Sequence, residues 1–140
     1  MKTNVWTIGS AIVLIVVFGL LVKKQIRENM DRSDPMLERL RDLLIPIHPG
    51  FKNVKLYKAD KSYTINKDKI YLCLRDKKTG EYVTLNMLVY VILHEYAHFL
   101  NKEDVGHTKH WQDIFDSLLV KASEIGIYNP SIPIIDDYSE

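Results

Sequence analysis

The stretch that decides the fold is residues 91–98, Val-Ile-Leu-His-Glu-Tyr-Ala-His, which contains the pattern H-E-x-x-H. It belongs to a segment that is apolar on nearly every side and runs from a cap at Thr84 or Asn86 to about Leu100. A helix of this kind belongs in the interior of a domain. Polar side chains on such a helix need partners, because unpaired buried polar groups are costly. The segment therefore predicts a central helix that carries a functional site.

The spacing of the two histidines indicates a metal site. Residues i and i+4 share one face of a helix, so His94 and His98 can reach one Zn²⁺ ion. Glu95 would project beside the metal and take a proton from a zinc-bound water, whose pKa zinc lowers toward about 7. The alternative interpretation makes the two histidines ordinary core residues with Glu95 as their hydrogen-bond acceptor. We expect one zinc ion, with Glu95 as the general base and acid.

A third ligand is needed, since catalytic zinc sites use three protein ligands. Four of the five histidines lie between residues 94 and 110. The fifth, His48, lies in a proline-flanked loop, where we expect a surface residue. The candidates from the segment after the central helix are His107, His110, Glu103 and Asp104.

Local signals favour His107 over His110. Gly106 allows the chain to turn back after the central helix, and Thr108 is a suitable N-cap for the next helix. His107 would then lie just outside that helix and point back. His110 would fall in its first turn beside Trp111, either at the cleft rim as a donor to the substrate carbonyl or oxyanion, or simply exposed to solvent.

The other segments predict an α+β domain over residues 35–127. Asp34 and Pro35 form a helix start, with an acidic N-cap and proline at the first helical position. A stop at Gly126 ends a last amphipathic helix. The strand at 70–75 would offer its edge to an extended substrate. The predicted helices are 35–44, 84–100 and 108–125, and the predicted strands are 54–57, 62–65 and 70–74.

The first residues predict a membrane anchor. Residues 5–22 carry no charge and would form a helix about 27 Å long, close to the thickness of a bilayer core. No small-residue cleavage site follows, which favours an uncleaved anchor over a signal peptide. Basic residues are more numerous after the span than before it, which predicts an external or luminal N-terminus and a cytosolic domain. The predicted divisions are a flank at 1–4, the transmembrane helix at 5–22, a juxtamembrane linker at 23–34, the domain at 35–127 and a tail at 128–140.

Composition excludes several classes of protein. The net charge of +1 argues against a protein that works by bulk charge, and 46% hydrophobic residues argue against disorder. One cysteine excludes a disulfide framework within the chain and suits a reducing compartment. The lysines between Lys52 and Lys69 are interpreted as a solvated strand face, with contact to nucleic acid or lipid as the alternative.

Four segments together resemble the WLM family of metalloproteases, which is related to the SprT and Spartan proteases. They are residues 70–75, 82–85 and 91–98, and the pattern Gly106-His107-x-x-x-Trp111. The resemblance covers about residues 35–127 and implies a minimal zincin-like fold, with helices packed on a small sheet and the zinc helix in the centre. It implies ligands at His94, His98 and His107, a catalytic acid/base at Glu95, a packing aromatic at Trp111 and a protein substrate.

Two classes of function follow. The first is a membrane-anchored zinc endopeptidase that acts on a protein or peptide, and an intact Glu95 favours it. The second is a structural membrane protein that keeps a zincin fold without turnover. Such a protein would be a virion, minor capsid or assembly component of a large DNA virus, located in an internal membrane and contacting other capsid or assembly proteins.

Overall fold

The computed structural model describes residues 4–135, and the chain separates into two units, Met1–Ser33 and Asp34–Glu140. Residues 136–140 of the predicted tail and 1–3 of the predicted flank lie outside the described residues. The described part contains four α-helices, one 3-10 helix and three strands. In chain order these are α1 Val5–Arg32, α2 Pro35–Leu44, the 3-10 helix Pro49–Asn53, β1 Lys55–Lys58, β2 Tyr63–Ile65, β3 Lys69–Leu72, α3 Leu85–Leu100 and α4 Lys109–Glu124.

The described part of the first unit contains a single helix. α1 has 28 residues and buries none of them, and it is long and apolar enough to cross a membrane. Its length is about 42 Å, which exceeds the roughly 30 Å of a bilayer core. The helix does not end with the apolar residues 5–22 but continues through the polar residues 23–32. The segment predicted as a juxtamembrane linker is therefore helical over most of its length.

The second unit is built on a small mixed sheet with the strand order β1-β3-β2. β3 pairs with β1 in parallel and with β2 in antiparallel. Both edges of β3 are therefore occupied, and the prediction that residues 70–75 offer an edge to a substrate is wrong. The free edges of the sheet belong to β1 and β2. The α+β class predicted from the sequence is confirmed.

The core lies between the sheet and the helices. α3 packs against β2, β3 and α4, and α2 packs against β1 and the 3-10 helix. α3 has nine buried residues, as expected for a helix that is apolar nearly all round. The largest fully buried side chains include Leu37, Leu40, Phe51, Leu56, Ile70, Leu72, Leu88, Ile92 and Tyr96.

Local capping residues set where these helices begin. The Asp34 side chain accepts a hydrogen bond from the Met36 amide, with Pro35 at the first helical position. The threonine hydroxyls at positions 84 and 108 cap α3 and α4 in the same way. Such caps satisfy amide groups that have no partner within the helix. Of the two predicted caps for α3, the structure uses Thr84.

His48 is not the surface residue that the sequence predicted. Its Nδ1 atom lies 2.6 Å from the hydroxyl of Tyr96, which is fully buried on α3, and burial raises the pKa of Tyr96 to about 12. The same Nδ1 atom accepts a hydrogen bond from the Gly50 amide. A Cβ atom at Gly50 would lie 2.7 Å from the Tyr96 hydroxyl oxygen, so a larger residue there would have to displace the Tyr96 or His48 side chain. This contact fixes α3 to the 3-10 helix.

Candidate metal centre

Three histidines converge at the C-terminal half of α3. His94 and His98 lie one helical turn apart, and His107 lies in the connection to α4, directly before the N-cap of that helix. Their ligand nitrogens all lie within 4.8 Å of one another. The Nε2 atoms of His94 and His107 are 3.1 Å apart. The structure thus brings together the three histidines that the sequence predicted as ligands.

The chemistry of this donor set fits zinc. Burial, together with the smaller effects of the neighbouring His98 and His107, lowers the pKa of His94 to about 4. Burial also lowers the pKa of His98. Both imidazoles are therefore neutral at pH 7, which is the form that binds a metal. Three imidazole nitrogens that lie this close together are a set that zinc accepts with a fourth position left open.

Glu95 lies beside the cluster and outside the group of converging ligand atoms. Its side chain is buried, and its Oε2 atom accepts a hydrogen bond of 2.6 Å from the hydroxyl of Thr64 in β2. Burial raises the pKa of Glu95, and the bond from Thr64 opposes this shift. The H-E-x-x-H motif does not predict the contact with Thr64, because the two residues are 31 positions apart in the sequence.

Trp111 forms the wall behind the three imidazoles. Its ring centroid lies 4.5 Å from that of His107, 4.7 Å from that of His94 and 5.0 Å from that of His98. Trp111 is buried, and within residues 4–135 its Nε1 atom has no hydrogen-bond partner. Phe115, one turn further along α4, stacks on Trp111 and also contacts His94. Aromatic packing on this side restricts the directions in which the imidazoles can point.

The other candidate ligands do not reach the cluster. His110 lies outside it, with its Nε2 atom 3.6 Å from Glu103 Oε2 on an exposed surface. The carboxylate of Asp104 accepts hydrogen bonds from the Asn101 amide and, at 2.8 Å, from the Thr108 hydroxyl. These hydrogen bonds hold Asp104 within its own loop.

Two spaces of different size adjoin histidines of the cluster. A small cavity of about 70 Å³ touches His94 and Glu95 and is otherwise lined by Met87, Tyr90, Val91, Ile134 and Ile135. An open cleft of about 510 Å³ lies on the side of His98. That cleft is lined by Thr64, Asn66, Lys67, His98, Asp104, Val105 and Gly106. Only the second space is large enough for several residues of a peptide.

The lysine-rich segment does not form one continuous basic surface. Lys55 lies 3.7 Å from Asp68 in an exposed ion pair, and the ammonium group of Lys69 lies 5.7 Å from the ring centroid of Tyr57. Lys67 turns toward the loop after α3 and donates to backbone carbonyl groups there. Contact of this segment with nucleic acid or lipid stays a prediction.

These features define an α+β domain with a three-histidine candidate metal centre, in a chain that also has an N-terminal apolar helix.

Curated relatives come from viruses. The chain is 46% identical over 87 residues to uncharacterized protein 136R of Invertebrate iridescent virus 6, covering 61% of the chain and 48% of the relative. It is 41% identical over 102 residues to uncharacterized protein 042R of Invertebrate iridescent virus 3, covering 73% of the chain and 60% of the relative.

A third relative is uncharacterized protein R325 of Acanthamoeba polyphaga mimivirus, with 41% identity over 68 residues that cover 48% of the chain and 34% of the relative. The chain therefore spans about half the length of the curated relatives it matches. No family model matches the chain. No solved structure is significantly similar to it.

Proposed function

We propose that the Asp34–Glu140 unit is a zinc metallopeptidase with a minimal zincin-like fold, of the kind found in the WLM and SprT proteases. The observation that carries this proposal is the convergence of His94, His98 and His107 beside the buried carboxylate of Glu95. When bound there, zinc supplies a Lewis acid that polarises a carbonyl and lowers the pKa of a water molecule. The reaction class is hydrolysis of a peptide bond.

Glu95 is the group that moves the proton. Because the Thr64 hydroxyl occupies Oε2, the Oε1 atom is left to accept a proton from the attacking water and to pass it to the leaving amine. Burial raises the pKa of this carboxyl group, and a raised pKa suits a residue that must both take and give a proton near neutral pH. The role of Thr64 is to hold the carboxylate in one orientation.

An extended peptide fits best along β2. This strand is an edge of the sheet, and an edge strand offers unpaired backbone groups to a further strand. Thr64 places β2 next to Glu95, so a peptide paired with β2 would run past the carboxylate. The open cleft on the side of His98 continues from Thr64 and gives room for the chain. Peptides and unfolded protein segments are the substrates that this geometry accepts.

The proposed location is a membrane, through α1, with the catalytic unit on the cytosolic side. The length and apolar character of α1 support the anchor, and the cluster of basic residues after position 22 supports the orientation. The viral origin of the relatives supports a membrane of an infected cell or the internal membrane of a virion. Protease protection of a tagged chain in sealed vesicles tests the orientation.

The test of the activity uses the full chain in detergent, loaded with one equivalent of zinc. Peptide libraries are incubated with the wild type, with Glu95→Gln and with the matched control Glu103→Gln, which changes an exposed acid of the nearby loop. We expect equal cleavage by the wild type and the control, and cleavage by Glu95→Gln that is slower by about a hundredfold or more. Equal cleavage by all three proteins would refute the proposal. Zinc binding without cleavage would favour the non-catalytic alternative, a structural protein of the virion.

A further inference from the structure

The loop between His98 and His107 is held by a network of hydrogen bonds that no sequence motif predicts. Asn101, at the end of α3, is almost completely buried, and its amide group donates to the Asp104 carboxylate. Its side-chain oxygen accepts from the backbone amides of Glu103 and Asp104, at 3.3 and 3.4 Å. The same carboxylate oxygen of Asp104 accepts from the Thr108 hydroxyl. Asp104 thus joins the end of α3 to the start of α4.

A second connection to this loop comes from the sheet. Lys67, in the turn between β2 and β3, donates from its ammonium group to the carbonyl oxygens of Asn101 and, at 2.8 Å, of Asp104. The two carbonyls lie at either end of the turn that follows α3. One side chain therefore connects the hairpin to the loop that carries His107.

The backbone conformation of Lys67 is unusual for a lysine, which indicates that its side chain has a structural role. Asn66 and Lys67 both have a φ of 51°, and the Asp68 amide donates to the Ile65 carbonyl at 3.0 Å. Positive φ at both central positions is the signature of a type I′ turn, in which Asn followed by Gly is the favoured pair. A lysine at the second position accepts a conformation that glycine adopts more easily. A strained backbone conformation of this kind persists when contacts of the residue with the surrounding structure hold it in place, often at functional sites.

We infer that Lys67 and Asp104 are positioning residues, which hold His107 in place before a metal arrives. This inference rests on the proposed metal site. The His107 ring contacts Trp111, but the backbone that carries it has little packing of its own, since Val105 is 86% exposed and Gly106 has a φ of 87°. Without the hydrogen bonds of Lys67 and Asp104, the loop would become ordered only when the metal binds. The entropy cost of this ordering would weaken the affinity for the metal.

The decisive variant is Lys67→Gly. Glycine favours the type I′ turn, so this variant keeps the hairpin and removes the side chain that carries the ammonium group. Asp104→Asn tests the connection made by the Asp104 carboxylate, and Lys67→Arg is the conservative variant that keeps a cation. Lys61→Met and Asp60→Asn are matched controls, because both residues are exposed. All proteins are prepared as the full chain in detergent.

Two measurements separate positioning from a general loss of stability. The first is the zinc dissociation constant, obtained by competition with a chromophoric chelator. The second is the visible absorption of the Co²⁺-loaded protein, which reports the coordination geometry. We expect zinc to bind about tenfold more weakly to Lys67→Gly and Asp104→Asn, as for other residues that orient metal ligands. Their cobalt spectra should change, whereas Lys67→Arg and both controls should resemble the wild type.

Each outcome has a separate meaning. If the wild type binds zinc and Lys67→Gly binds it equally well with an unchanged cobalt spectrum, the positioning role is refuted and the metal site stands. If the wild type itself fails to bind zinc or cobalt, the proposed metal site falls and this inference falls with it. Weaker binding by Lys67→Gly with an unchanged or higher melting temperature in chelator supports positioning, because lost folding cannot explain it.

Discussion

Replacing His107 with alanine should remove about 3 kcal/mol of the stability that zinc adds, and replacing His110 should not. Structural zinc sites with four ligands bind with roughly 10–16 kcal/mol, or about 3 kcal/mol for each ligand. Losing one ligand should therefore weaken binding about a hundredfold. With zinc in excess, the same 3 kcal/mol is lost from the free energy of unfolding. At about 4 °C per kcal/mol for a domain of this size, the melting temperature falls by about 12 °C.

The same substitution should have little effect on the metal-free protein. His107 is exposed, and substitutions of exposed residues usually change stability by less than about 0.5 kcal/mol. The assay is thermal unfolding of the full chain in detergent, followed by circular dichroism with excess zinc and with excess chelator. His110→Ala is the control, since His110 lies outside the cluster and its Nε2 atom is 3.6 Å from the exposed Glu103 carboxylate. A zinc-dependent shift that survives His107→Ala and disappears in His110→Ala would show that the ligand assignment is wrong.

Three further changes test other parts of the structure. Glu95→Gln should bind zinc like the wild type but slow peptide hydrolysis about a hundred- to ten-thousandfold, measured as initial rates; loss of zinc from this variant would instead make Glu95 a ligand. The metal-free protein should lose stability as the pH falls from about 6.5 toward about 4, because His94 has a folded pKa of about 4 and the unfolded chain therefore binds more protons. Urea unfolding at pH 7 and pH 5 checks this, and equal midpoints would contradict the buried environment of His94. Gly50→Ala should cost about 1–3 kcal/mol, since its Cβ would lie 2.7 Å from the Tyr96 hydroxyl oxygen; chemical denaturation with an unchanged midpoint would show that the 3-10 helix adjusts freely.

Features that depend on nearby residues could be predicted from the sequence. The bounds of α3 and α4 follow from caps and apolar spacing within each segment, and the structure places them within a few residues of the prediction. The convergence of His107 on the central helix follows from two adjacent signals, Gly106 and Thr108. Each of these signals acts through the backbone of its own neighbourhood, so one sequence is enough to recognise it.

Features that depend on distant pairing could not be predicted. Strand order is set by which strands meet after the chain has folded, and β3 is the central strand and not the edge that the sequence predicted. The bond from Thr64 to Glu95 spans 31 positions, and the contact of His48 with Tyr96 spans 48. Neither Thr64 nor His48 belongs to a recognisable motif. Their roles come from the packing of α3 on the sheet and on the 3-10 helix.

The position of Trp111 gives the site its own optical signal. The chain has two tryptophans, and the other, Trp6, lies in α1, so Trp6→Phe leaves one indole, in ring contact with all three histidines. An indole at this distance loses fluorescence to a paramagnetic ion such as Cu²⁺ or Co²⁺, whereas Zn²⁺, with its filled d shell, leaves the emission largely intact. Displacement of Co²⁺ by Zn²⁺ should therefore restore the emission. Metal exchange can then be followed in real time without an attached dye.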